Sequence, residues 1–164
     1  MKIYLCNLGC VRNQVDGEVM RGALQTAGHD IVDDPEQADA VVINTCGFIQ
    51  SAAEESIEAI LELAGYKQSG NCRLIVTGCL PERYREETAE QLPEVDAFLG
   101  TGAYDRIVDA VEGKLAPGTC ELPDPASLAL MTHQTPRQPD SYPVAYVKVT
   151  EGCNRHCTYC IIPK

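Results

Sequence analysis

The sequence predicts an α/β fold, a parallel sheet of five strands with helices on both faces. Two observations carry this. Over residues 1–113, short apolar runs alternate with longer stretches whose apolar residues recur every three or four positions. The runs read as strands and the stretches as amphipathic helices, and that alternation closes most economically as a parallel sheet. In addition, Ala38–Ile43 is apolar and β-branched almost throughout, as expected of a strand covered on both faces.

Each element follows in order. Lys2–Leu8 is rich in strand formers and ends at Gly9. Gln14–Gly28 carries Val15, Val19, Ala23 and Ala27 at four-residue intervals, flanked by Met20 and Leu24, which makes one apolar helical face. Gly28 supplies its stop. His29–Val32 is a short strand and Ala38–Ile43 the next. Ser51 and Glu54 have the spacing of a capping box. The helix behind them shows Ile57, Ile60, Leu61 and Ala64 on one side and ends at Gly65 or Gly70. Arg73–Thr77 is a buried strand, and Pro81 suits the first turn of a helix running to about Leu92. Ala97–Leu99 is a last short strand, and Tyr104–Glu112 a last helix closed by Gly113.

Beyond Gly113 the texture changes. Six of the ten prolines fall between Pro117 and Pro143, with little periodicity, as in a linker. Val144–Val149 then reads as a fresh strand. The expected organisation is a domain over 1–114, a proline-rich linker over 115–142, and the start of a second domain over 143–164.

The 164 residues are enough for one domain with a real core. Apolar residues make up 45%, and no run approaches a membrane span. The amino terminus enters a strand pattern directly, without a secretory signal, so a cytoplasmic location is expected. The net charge of −11 argues against a nucleic-acid grip spread over this surface. Nine cysteines, an odd count with no export signal, point to metal ligation rather than a disulfide framework.

Two sets of three cysteines stand out. Cys10 follows the first strand, Cys46 the third and Cys79 the fourth. In a flavodoxin-like strand order, 2-1-3-4-5, those strands are neighbours, and their carboxyl ends meet where such sheets bind ligands. Gly9, Gly47 and Gly78 beside the cysteines let the backbone come close to a bulky group. Three thiolates can hold a four-iron cluster and leave one iron open. Ordinary buried thiols are the competing explanation; it fits Cys6 and Cys72, beside strands, and Cys120 in the linker. The second set is Cys153, Cys157 and Cys160, with Tyr159 before the last. Zinc with His156 as a fourth ligand is the alternative, but His156 directly precedes Cys157, a poor spacing for a tetrahedral site.

The pattern Cys153-x3-Cys157-x2-Cys160, with its aromatic, resembles the radical S-adenosylmethionine superfamily. Leu8-Gly9-Cys10-Val11-Arg12-Asn13, Asn44-Thr45-Cys46 and Thr77-Gly78-Cys79 resemble the amino-terminal domain of its methylthiotransferases. Cys46-Gly47-Phe48-Ile49-Gln50, without the arginine usual in tRNA-modifying branches, is similar to the branch acting on ribosomal protein, as are Cys79-Leu80-Pro81-Glu82-Arg83-Tyr84 and Val95–Thr101. Arg12 and Gly17 depart from that branch, which often has lysine and serine there. The resemblance covers essentially the whole chain, and the family continues into a radical-enzyme barrel and a small β-barrel.

That resemblance implies two 4Fe–4S clusters, one on Cys10, Cys46 and Cys79 and one on Cys153, Cys157 and Cys160, with S-adenosylmethionine at the second and Tyr159 a candidate to lie beside it. It implies sulfur and methyl insertion at the β-carbon of an aspartate in small-subunit ribosomal protein twelve. An unactivated C–H offers no acidic proton to a base, so a radical route suits it. The implied partners are that ribosomal protein and an electron donor such as flavodoxin or ferredoxin, with no membrane and no direct nucleic-acid contact. Only the threshold of the barrel is expected here, so the chain alone is expected to be inactive. A tRNA adenosine methylthiotransferase and a non-catalytic metal-binding module are the alternatives.

Overall fold

A computed structural model describes residues 1–67, 72–124, 132, 134–139, 144–149, 153, 155 and 157–158. Its centre is a sheet of six parallel strands: β1 (Lys2–Asn7), β2 (Asp30–Val32), β3 (Ala40–Thr45), β4 (Arg73–Gly78), β5 (Ala97–Leu99) and β6 (Thr119–Glu121). They lie in the order β2-β1-β3-β4-β5-β6. The first five keep the expected order. The sixth is an addition, and it lies in the stretch read as linker. Three residues preceded by Pro117-Gly118 are too few to show a period. The strand forms because β5 presents an unpaired edge, where Gly118 N donates to Asp96 O and Gly100 N to Glu121 O, both at 2.8 Å. Cys120, read as a linker thiol, is thereby packed against the core.

Period-two alternation divides the core. Ala40 and Val42 of β3 join Ile3, Ile75 and Leu99 on one face. That face is covered by α1 (Val11–Thr26), through Met20 and Leu24, and by α5 (Ile107–Val111). Val41 and Ile43 join Leu74, Val76 and Phe98 on the other. There α2 (Gln50–Lys67) lays down Ala53, Ile60, Leu63 and Ala64. Two short helices, α3 (Cys79–Tyr84) and α4 (Glu86–Gln91), complete that layer.

Several boundaries differ from the sequence reading. α2 starts at Gln50, which puts Ser51 inside the first turn; Gln50 Nε2 donates to Glu54 Oε1 at 2.9 Å instead. The single helix expected from Pro81 to Leu92 is broken at Arg85, whose φ is +49°. The last helix opens with a 3-10 turn over Ala103–Arg106 and closes on Gly113 at φ +71°. Residues 144–149 form no strand. A strand is stabilised by a ladder, and none of the described strands pairs with this one; Val147 and Val149 are largely exposed. Among the described residues no helix is long and apolar enough to cross a membrane.

Candidate functional site

The carboxyl ends of β1, β3 and β4 are level. Asn7 lies opposite Asn44, Asn44 opposite Thr77, and Thr45 opposite Gly78. Each strand then turns within three residues into a cysteine: Cys10 is the N-cap of α1, Cys46 opens the loop to α2, and Cys79 is the first residue of α3. Parallel strands in register thus deliver the three thiols to one mouth, although they are far apart in sequence.

Asn13 ties the mouth together. It is buried in the first turn of α1. Its Nδ2 donates to Thr45 O at 2.6 Å, which fixes the amide orientation and turns Oδ1 toward the sulfurs. Oδ1 accepts from Cys10 Sγ at 3.8 Å and Cys79 Sγ at 3.7 Å. Asn44 Nδ2 donates to the Asn13 carbonyl at 2.6 Å and to Asn7 Oδ1 at 3.1 Å. One side chain therefore touches the arms of all three cysteines.

The Cys46 loop is held from two sides. The fully buried Ser56 hydroxyl accepts from Cys46 N at 3.1 Å and lies 2.9 Å from its carbonyl. From α3, Arg83 Nη1 donates to Gly47 O at 2.6 Å, and its guanidinium sits 5.3 Å from the Tyr84 ring centre. Thr45 Oγ1 donates to Thr77 O at 2.6 Å, fastening β3 to β4 just below the cysteines.

Backbone crowding explains two glycines. A Cβ on Gly9, at φ +92°, would fall 2.6 Å from Cys46 Cβ and 3.1 Å from its Sγ. One on Gly78, at φ +97°, would fall 2.6 Å from Thr45 O. Both positions also require the left-handed region, which a side chain rarely adopts.

The thiols differ in access. Cys10 is exposed, Cys79 half-buried and Cys46 buried. Burial pushes the Cys79 thiol up, and the sulfurs of Cys46 and Cys10 push the same way. The Gly47 amide and Thr101 hydroxyl pull it down. Like-charge crowding of this kind is relieved when a cation is shared among thiolates.

Among the described residues no three His, Cys, Asp or Glu side chains are close enough to hold a single metal ion. Two of the three sulfurs, those of Cys10 and Cys79, flank the Asn13 oxygen. That arrangement suits a cluster, in which each thiolate meets its own iron, better than one tetrahedral ion. Glycines stand where side chains would close the mouth, and the N-terminus of the sixteen-residue α1, which favours negative charge, opens at Cys10. The donor set therefore fits the group the sequence pointed to.

Of the other set, Cys153 and Cys157 are exposed. Cys160, Tyr159 and His156 lie outside the described residues. Sequence reasoning assigned no role to Asn13, Ser56, Arg83 or Thr101. Only Asn13 carried a signal, its place three residues after Cys10 on one helix face.

Known proteins resemble the chain along its whole length. Relatives from Desulfosudis oleivorans, Anaeromyxobacter sp. strain K and Lachnoclostridium phytofermentans are 50%, 51% and 45% identical to the chain, over 99–100% of its length. Each of these relatives is named ribosomal protein uS12 methylthiotransferase RimO. The chain spans only 34–38% of their length. A family model matches residues 2–100, the stretch that builds the first five strands and all three cysteines of the mouth, and by that match the chain belongs to the uncharacterized protein family UPF0004.

Proposed function

We propose that this chain is the sulfur-cluster part of a methylthiotransferase acting on ribosomal protein uS12, and that Cys10, Cys46 and Cys79 bind a 4Fe–4S cluster. The observation that carries the reading is the convergence of those three thiols at the ends of β1, β3 and β4, two of them on the Asn13 amide oxygen. The names of the relatives support the substrate. The cysteine spacing at 153, 157 and 160 supports a second cluster that binds S-adenosylmethionine, with Tyr159 beside it.

When bound, the clusters and S-adenosylmethionine supply radical hydrogen abstraction at the aspartate β-carbon, a sulfur atom, and a methyl group. The chain's own residues hold and shape the site. Asn13, Ser56 and Arg83 fix the three cysteine arms. Gly9, Gly47 and Gly78 keep the mouth open, and a four-iron cluster held there by three thiolates would have one iron without a protein ligand. Three thiolates per cluster, rather than four, leave that position to an exchangeable partner. An electron donor such as flavodoxin or ferredoxin and a cytoplasmic setting go with this reading. The 164-residue chain by itself is expected to show no turnover.

The test is anaerobic reconstitution of a full-length protein carrying this sequence. About eight irons and eight sulfides per chain support two four-iron clusters; one zinc without sulfide overturns the reading. Cys10→Ala, Cys46→Ala and Cys79→Ala are each expected to abolish methylthio product on uS12, read by mass spectrometry, while S-adenosylmethionine is still cleaved. Product from any of the three refutes the ligand assignment.

A further inference from the structure

Helix α1 carries Cys10 at its start and a second, separate feature along its flank. Glu18, on this helix, carries a carboxyl group yet is almost wholly buried at 1% exposure. Its partner comes from 119 residues away: Arg137 Nε donates to Glu18 Oε2 at 2.7 Å, and Nη2 lies 2.5 Å from the same oxygen. Gln138 N donates to the Glu18 carbonyl at 2.9 Å. One turn along, Gly22 leaves room for the crossing backbone; a Cβ there would fall 2.7 Å from Arg137 N and Pro136 C.

A second tie follows on the same helix. Lys148 Nζ donates to Asp16 Oδ1 at 2.6 Å, with side-chain exposures of 6% and 13%. Arg137 Nη2 also donates to Tyr146 O at 2.7 Å, linking the two crossing segments. Lys148 is five residues before Cys153. Residues read as a plain linker and as a fresh strand meet α1 with two ion pairs, three of whose four side chains are at most 13% exposed, and with a glycine cleared for the crossing backbone. Charged groups so little exposed are retained only where they are paired.

We propose that Asp16 and Glu18 are positioning residues: with Arg137 and Lys148 they strap the segment leading into Cys153 along the helix that Cys10 caps, and so fix the register between the two cysteine sets. This rests on the two-cluster reading above. The helix is the common rail, with one thiol at its end and the approach to the other set tied to its flank. Reaction at a carbon that must first lose a hydrogen at one centre and then receive sulfur from another depends on their relative placement.

Trypsin reads the strap directly, because Arg137 and Lys148 are themselves cleavage sites. On the 164-residue chain, Glu18→Gln and Asp16→Asn should raise cutting at these residues by about tenfold or more, since cleavage follows the population of the opened form. Gly22→Ala keeps every charge and favours the helix, yet displaces Arg137; it should open the strap while helix content holds. Unchanged cutting in all three variants overturns the strap. In the full-length protein the same variants should keep the wild-type iron content but release several-fold more 5′-deoxyadenosine per methylthio group formed. An opened strap with an unchanged ratio overturns the positioning role. A wild-type protein without two clusters sinks the functional reading instead, and leaves the proteolysis result standing.

Discussion

Replacing Gly9 by alanine tests whether the ends of β1 and β3 meet as closely as described. Two costs arise. A residue with a Cβ in the left-handed region loses about 1–2 kcal/mol, and Gly9 has φ +92°. Forcing a methyl group against packed neighbours costs about 1–3 kcal/mol more, and this one would land 2.6 Å from Cys46 Cβ. Gly28→Ala isolates the first cost, because Gly28 has φ +85° and no atom within 4 Å of the added Cβ. The gain from a less flexible unfolded chain is common to both variants. Their difference is therefore the contact with Cys46, about 1–3 kcal/mol, a large share of the roughly 5–15 kcal/mol that holds a domain together. Urea unfolding of the reduced, metal-free chain reads it. With a slope of about 1–3 kcal/mol per molar, Gly9→Ala should unfold about 1 M earlier than Gly28→Ala. Equal midpoints would refute the close approach and, with it, the convergence of Cys10 and Cys46.

Other expectations follow from the same site. Asn13→Ala leaves Thr45 O and two sulfurs without their partner and should cost about 1–3 kcal/mol in urea unfolding, with iron uptake by the cysteine mouth reduced. Ser56→Ala, which frees both backbone groups of Cys46, should cost a similar amount, about 1–3 kcal/mol; a neutral result would show that the Cys46 loop is held elsewhere. Iodoacetamide should label the exposed Cys10 before the buried Cys46, as peptide mapping would show. Burial raises the thiols of Cys79, Cys6, Cys72 and Cys120 in the folded chain. The unfolded chain then ionises first, so their contribution is complete below about pH 8.5, the ordinary thiol value, and is lost as pH rises through the raised folded values. The urea midpoint of the metal-free chain should fall on the alkaline side, and a flat profile there would contradict the burial of these thiols.

The five-strand order was legible because each strand is a short apolar run and three of the four crossovers between them are long periodic ones; local pattern and final position agree there. The helix over 81–92 was misread for the opposite reason. Its pattern is continuous, but both Leu80 and Leu92 are buried in the same core cluster. On one unbroken helix, twelve residues at ~100° each would set them about 120° apart. The break at Arg85 lets both reach the sheet, and no local signal announces it, since arginine has no preference for φ +49°. Residues 144–149 show the same limit from the other side. Val144, Val147 and Val149 have strand propensity, but propensity without a neighbouring ladder leaves only extended backbone.

The site divides along a similar line. Cysteine is chemically distinctive, so three of them placed just after strands could be found by position alone. Asn13 could not, because its role exists only once the strands are in register. Asn44 must stand level with Asn7 to reach the Asn13 carbonyl, and Thr45 must end β3 at the height where Nδ2 finds its oxygen. A shift of one residue in β3 would turn Asn44 to the opposite face and put Ile43 or Thr45 in its place. The polar row Asn7, Asn44, Thr77 is thus set by the apolar residues behind it: Ala40 and Val42 bury on one face, Val41 and Ile43 on the other. The core that fixes the register is what brings the three thiols together. Mutations deep in β3 should therefore disturb iron binding without touching a ligand. Val42→Ala, about 10 Å or more below the mouth at ~3.3 Å per residue, gives the measure of that coupling. Iron uptake that falls in proportion to lost stability would place the site in the core's rigidity, and uptake that holds while stability drops would place it in Asn13 and its partners alone.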